Sequence, residues 1–201
     1  MGVHSFILLA LCLCLTFMAA TARKEPSSGH TYGDTCGSLD LAGVGIRKKG
    51  PIKVYSVALF ADRAACAKEC VDPSSDNMNW FCDSDSNKEI VLKMCRDVGT
   101  EKMASAIGDA IGSRMGGKDK AALNQLKGAM TAGFEKTGGA KAGTKLTFKS
   151  HKSKLSLHIN GKQQTECSSS ALVSAFYGTY TDKNCVSPSL KADFKKWLAS
   201  N

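Results

Sequence analysis

Arg47 and Tyr55 are the two side chains in this sequence best suited to chemistry. A guanidinium presents a planar fork of donors and a phenol a single hydroxyl; together they suit a carboxylate or an enolate oxygen. Both fall within residues 41–62, LAGVGIRKKGPIKVYSVALFAD, which read as two short strands joined by a tight turn. Val44 and Ile46 alternate with Gly43, Gly45 and Arg47. Lys48-Lys49-Gly50-Pro51 then supplies the turn, and residues 52–60 continue as a β-rich run. Pairing of the strands around that turn brings the guanidinium and the phenol close together on neighbouring strands.

Other chemistry is sparse. His151 and His158 sit in a late hairpin with no nucleophile or acidic partner nearby in sequence, which suits surface residues better than ligands. No Ser-His-Asp or metal triad is visible, and neither a metal nor another cofactor is expected. Of nine cysteines, Cys12 and Cys14 lie in an apolar leader, leaving Cys36, Cys66, Cys70, Cys82, Cys95, Cys167 and Cys185. Cys66, Cys70 and Cys82 share one polar segment, and in an oxidising compartment disulfides are expected to staple it. A zinc site is the alternative, but the paired C-x-x-C spacing of structural zinc is missing.

The elements that must position Arg47 and Tyr55 fit one domain in a chain of 201 residues. Residues 6–20 form an apolar run too short for a membrane span, and Ala20-Thr21-Ala22 offers an A-x-A-like cleavage site. Residues 1–22 are therefore expected to be a secretory signal, with an uncleaved anchor as the alternative. The product would enter the secretory pathway and end extracellularly, although a secretory route to a plastid stays open. The formal charge of +9 falls wholly beyond that site. Its lysines are dispersed in runs no longer than two, so it reads as a solvated surface rather than a nucleic-acid footprint, with weak anionic-membrane association as a minor option. A monomer is expected.

Residues 23–38 are polar and contain Gly, Ser and Pro, reading as a flexible lead-in, and the domain proper is expected over 39–201. A short helix follows over 62–70 with Asp62 as its cap, then a loop over 73–87 and a strand over 90–94. Met103, Ile107, Ile111 and Met115 mark one long helix with Thr100 as its cap, ending at Gly116-Gly117. Leu123, Leu126, Met130 and Phe134 mark the next, ending at Gly138-Gly139. A hairpin alternates at Leu146, Phe148, Leu155, Leu157 and Ile159, before an Asn160-Gly161 turn. Two apolar helix faces close the chain, through Phe176 and Tyr180 and then through Phe194 and Trp197. Strands and helices in separate groups predict an α+β domain with helices on one face of an antiparallel sheet.

Residues 41–62 resemble the chalcone isomerase fold family, more closely its chalcone-isomerase-like and fatty-acid-binding branches than the flavonoid enzymes. Those branches carry a similar G-x-G-x-R-K-K, a short turn, then K-V-Y and an apolar strand. The similarity continues through IVLKMCRDVGTEKM (90–103), GTKLTFKSHKSKLSLHINGK (143–162) and SSALVSAFYGTYTDKNCVSPSLKADF (169–194), in the family's order and spacing. It implies an open-faced sandwich. It also implies two rival functions. In the fatty-acid-binding branch, Arg47 would form an ion pair with a carboxylate and Tyr55 a hydrogen bond, while Met103, Ile107, Leu126, Met130 and Phe176 wall the acyl chain. In the isomerase branch, an intramolecular lyase would act through an enolate with Arg47, Tyr55 and a late hydroxyl at Thr179.

The isomerases' helix Tyr and Asn fall, by the same resemblance, at Gly99 and Ala106, neither of which can orient a water or donate to an oxyanion. Non-catalytic binding of a fatty acid or similar small apolar carboxylate is thus the favoured expectation. On residue pattern alone a plainer reading stands beside it: Arg47 paired with an acid of the fold, Tyr55 an ordinary strand aromatic, and a disulfide-stabilised scaffold with a filled core and no ligand.

Overall fold

The computed structural model describes residues 21–200, so the expected signal sequence lies almost wholly outside the described residues. The described residues begin with three short strands, β1 (Ala22–Lys24), β2 (Thr31–Gly33) and β3 (Thr35–Cys36). The expected hairpin then forms from β4 (Leu39–Lys49) and β5 (Ile52–Ala61), turning at Gly50-Pro51, where Gly50 takes a φ of 57°. Helix α1 (Arg63–Glu69) starts as expected at Asp62, whose carboxylate accepts from the Ala65 amide at 3.0 Å. Helix α2 (Asn79–Asp83) and strand β6 (Lys88–Met94) come next. The two long helices are α3 (Thr100–Met115) and α4 (Lys120–Lys136). Strands β7 (Lys145–His151), β8 (Lys154–Ile159) and β9 (Lys162–Ser168) precede α5 (Ser170–Thr181) and α6 (Pro188–Ala199).

Strands β3 to β9 form one seven-stranded sheet in simple chain order, antiparallel throughout. The two-residue side-chain period places Tyr55, Val57 and Leu59 of β5 on one face with Met94, Leu92 and Ile90 of β6 and with Leu146 and Phe148 of β7. The same buried cluster holds Met103, Ile107, Ile111, Leu126, Met130, Phe134, Phe176 and Phe194, so the four longer helices cover this face. The fold is the expected α+β open-faced sandwich.

Close packing at β4 explains its glycines. A Cβ on Gly45 would overlap the backbone of Leu190 in α6, and one on Gly43 would press on the Phe194 amide at 3.1 Å. Beyond its short pairing with β3, β4 is an edge strand, and α6 caps its free groups. The Val44 amide donates to Asp193 Oδ2 at 2.8 Å, the Ile46 amide to Ser189 Oγ at 3.1 Å, and Ser187 Oγ donates back to the Ile46 carbonyl at 3.0 Å. The edge is thereby closed to further strand pairing.

Three expectations need correction. Residues 23–38 are not a loose lead-in: Tyr32 is buried on the outer face of the sheet beside Leu41, Val44, Phe60 and Val91. Its hydroxyl lies 2.6 Å from Ser56 Oγ, which also faces His30 Nδ1 at 2.7 Å, and the Lys93 ammonium sits over its ring. One buried aromatic with satisfied polar neighbours outweighs a turn-rich composition. Residues 73–87 are not loop throughout, because α2 buries Phe81 against Tyr177 and Phe194. Disulfides do not staple this segment, since all seven cysteines of the described residues are free thiols. Cys66 lies on the buried face of α1, whereas Cys82 turns toward α5 with its Sγ 3.4 Å from Thr181 Oγ1.

Candidate ligand-binding site

Arg47 and Tyr55 are direct partners across the β4–β5 hairpin. Their shared face opens on a cavity of about 330 Å³ between this end of the sheet and helices α3 and α5. That size lies at the lower end of the range of small-molecule sites. Met103, Ile107, Ile111 and Phe176 supply much of its apolar wall, and the exposed residues Lys49, Ile52, Arg96, Asp97 and Lys102 form its rim.

Arg47 is half-buried, and one of its five donors, Nη1, reaches the Val186 carbonyl at 3.2 Å. Among the described residues no carboxylate pairs with it. Tyr55 is buried, and its hydroxyl lies 3.4 Å from that of Tyr180. Burial pushes the Tyr55 phenol above its ordinary range, while the Tyr180 hydroxyl and the Arg47 charge pull the other way. Burial pushes Tyr180 well up too, reinforced by Tyr55. Both phenols therefore hold their protons at neutral pH and can act as donors. A fixed cation beside neutral donors, at the end of an apolar chamber, can hold a carboxylate whose tail is apolar.

The structure brings Arg47, Tyr55, Met103, Ile107, Phe176 and Thr179 to this cavity. It does not bring Leu126 or Met130. Both are wholly buried on α4, which packs against α3, β8 and β9 away from the chamber. An apolar helix stripe has the same spacing whether it meets a strand or a void, so periodicity could not separate them. Tyr180 was missed as a site residue. Its signal was a phenol on an otherwise apolar helix face, since a buried tyrosine hydroxyl usually finds a polar partner.

The hairpin bearing Arg47 and Tyr55, the seven-stranded sheet and the helix pair that roofs it agree with a family-level comparison: a family model described as chalcone isomerase-like matches residues 30–194. The chain belongs to the chalcone isomerase-like family. The crystal structure of a fatty-acid binding protein from Arabidopsis thaliana is similar at a TM-score of 0.76 and 19% identity, covering 90% of this chain and 98% of that one. No curated protein matches the chain.

For a chalcone isomerase-like chain, the residues at the positions of isomerase chemistry are instructive. Gly99 and Ala106, which the resemblance aligns with the isomerases' Tyr and Asn, both line the cavity and offer it no polar side chain. Thr179 also lines it, but its hydroxyl is spent on the Ala175 carbonyl at 2.9 Å, one helical turn back. His151 is exposed, its Nδ1 facing Asn87 Oδ1 at 2.8 Å. Among the described residues no cluster of His, Cys, Asp or Glu could hold a metal ion, and no helix is long and apolar enough to cross a membrane.

Proposed function

We propose that the protein binds a fatty acid or similar apolar carboxylate in this cavity without transforming it. Arg47 grips the carboxylate by a charge-assisted hydrogen bond, Tyr55 donates a second, and Met103, Ile107 and Phe176 enclose the chain. The observation that carries this reading is Arg47 itself. It is half-buried beside an apolar chamber, and no acid of the described residues neutralises it. A poorly solvated guanidinium without a counter-charge favours an anionic ligand. The likeness to the Arabidopsis fatty-acid binding protein supports the same class of ligand. Chemistry through an enolate has less support, because Gly99 and Ala106 leave the chamber without the polar groups that would position a water or steady an oxyanion.

Native mass spectrometry of the protein beside Arg47→Ala tests the proposal. Wild type should carry added mass that denaturation releases as fatty acid, and the variant should lose it. A wild type that stays bare when offered fatty acids ends this reading.

A further inference from the structure

The rim of the cavity has a composition its interior does not require. Ile52, 44% exposed, is one of two large apolar side chains left exposed among the described residues. It stands at the tip of the β4–β5 hairpin, just after Gly50-Pro51, between Lys49 and Lys53 and close to Lys48, all three exposed. Ile52 and Lys49 line the cavity, together with Arg96 and Lys102. The single acid among the lining residues is Asp97, and it is already held by the Lys141 ammonium at 3.0 Å and the Ala142 amide at 2.8 Å. Lys53, whose ammonium donates to the Ser27 carbonyl, stands at the same tip. Among the described residues no carboxylate pairs with Lys48, Lys49 or Lys102. Glu101, beside Lys102 at the start of α3, does not line the cavity.

One carboxylate bound at Arg47 leaves this ring of cations unanswered. An apolar side chain at a tight turn, flanked by lysines and set at the rim of a chamber for an apolar ligand, matches the charge and polarity of an anionic bilayer surface. We propose that the cavity docks, rim first, onto anionic lipid, with Ile52 entering the headgroup boundary and Lys48, Lys49, Lys53, Arg96 and Lys102 facing lipid phosphates and carboxylates. Docked this way, an acyl chain passes between bilayer and chamber with little of its apolar surface crossing water. This inference rests on the cavity being the ligand site proposed above.

Vesicle co-sedimentation tests it. Wild type should bind vesicles of equal parts phosphatidylcholine and phosphatidylserine, bind phosphatidylcholine vesicles far less, and be released by salt. Each cationic side chain near the surface is expected to contribute about fivefold in partitioning. Lys48→Glu with Lys49→Glu should therefore weaken binding by more than about twentyfold. Ile52→Ser should weaken it severalfold, and far-UV circular dichroism should show both variants folded. Arg47→Ala, titrated with oleate in solution, keeps the two readings apart: it should dock like wild type yet fail to bind oleate. A wild type that ignores anionic vesicles, binds both lipids equally, or binds unchanged after the hairpin substitutions overturns the docking proposal. Wild type that docks but takes up no oleate overturns the ligand reading instead.

Discussion

The hydroxyls of Tyr55 and Tyr180 meet 3.4 Å apart inside the protein, one delivered by β5 and the other by α5. Arg47 faces Tyr55 across the hairpin, and its charge works against the burial that holds both phenols protonated. The sheet thus supplies a cation and a donor as a pair, while the helix layer supplies a second donor and the apolar wall.

From that arrangement, the polar contribution to ligand binding should be graded. Hydrogen bonds to charged groups are worth about 1.5–3 kcal/mol. Arg47→Gln should thus weaken fatty-acid binding by about 10- to 100-fold in calorimetric titration. Tyr55→Phe removes an uncharged donor to the same carboxylate and should fall at the lower end of that range, about 10-fold. Tyr180→Phe, one step further from the guanidinium, should cost less than Tyr55→Phe. Equal affinities for Arg47→Gln and wild type would place the head group elsewhere.

Cavity wall and core should separate under mutation. Met130→Ala removes a wholly buried side chain outside the chamber and should lower stability by about 2–5 kcal/mol in urea unfolding. Its effect on fatty-acid affinity should be small. Ala106→Trp does the reverse: the residue lines the cavity yet is exposed, so the bulk should block the ligand while stability shifts by less than about 1 kcal/mol. A Met130→Ala protein with normal stability and altered chain-length preference would show that α4 does reach the ligand.

Gly45→Ala tests the contact between β4 and α6. The new methyl would overlap the Leu190 backbone, which belongs to a helix and cannot yield like a side-chain tip. Overpacking of this kind typically costs about 1–3 kcal/mol, and the midpoint of thermal unfolding should fall accordingly. Because Val186 lies just ahead of α6 and accepts from Arg47, ligand affinity should fall with it.

Lys88 predicts a pH dependence. Its ammonium is almost fully buried and donates to the Phe81 carbonyl at 2.6 Å and the Ser84 carbonyl at 2.8 Å, tying the α2 segment to β6. Burial, opposed by Cys82, Glu69, Cys66 and Asp83, pushes it down to about 8 from an ordinary 10.5. Between those values the unfolded chain holds more protons than the folded one, so this residue makes stability rise with pH through that window. The stability of wild type relative to Lys88→Met should therefore increase from about pH 8 to 10.5, by up to roughly 3 kcal/mol. Urea unfolding of both proteins across that range measures it, and a flat difference would mean that Lys88 titrates normally.

Much of the fold was written in local pattern. Alternation around Gly50-Pro51 set the hairpin, but the turn's own register would place Arg47 opposite Val54; a one-residue shift between Arg47 and Lys48 brings Tyr55 opposite Arg47 instead. Fourfold spacing at Met103, Ile107 and Ile111 marked α3, and the Gly116 and Asn160-Gly161 turns ended elements where positive φ was needed. These are short-range effects, decided within a few residues of chain.

What lay beyond the sequence were pairings between distant segments. Tyr180 completes the site only because α5 brings its hydroxyl to that of Tyr55 on β5, and Leu126 and Met130 leave it only because α4 turns toward β8 and β9. Tyr32 draws residues 23–38 onto the outer face of the sheet, against a composition that reads as loose chain. Cys66 and Cys82 share a segment yet point into different packing environments. The sequence by itself determined the elements, their order and the turn that makes Arg47 and Tyr55 neighbours, because period and turn chemistry are local properties. The one-residue shift that sets them directly opposite belongs to the folded sheet. Only the tertiary structure decided which apolar face meets a strand and which a cavity, because burial depends on what covers a surface and not on the residues that form it.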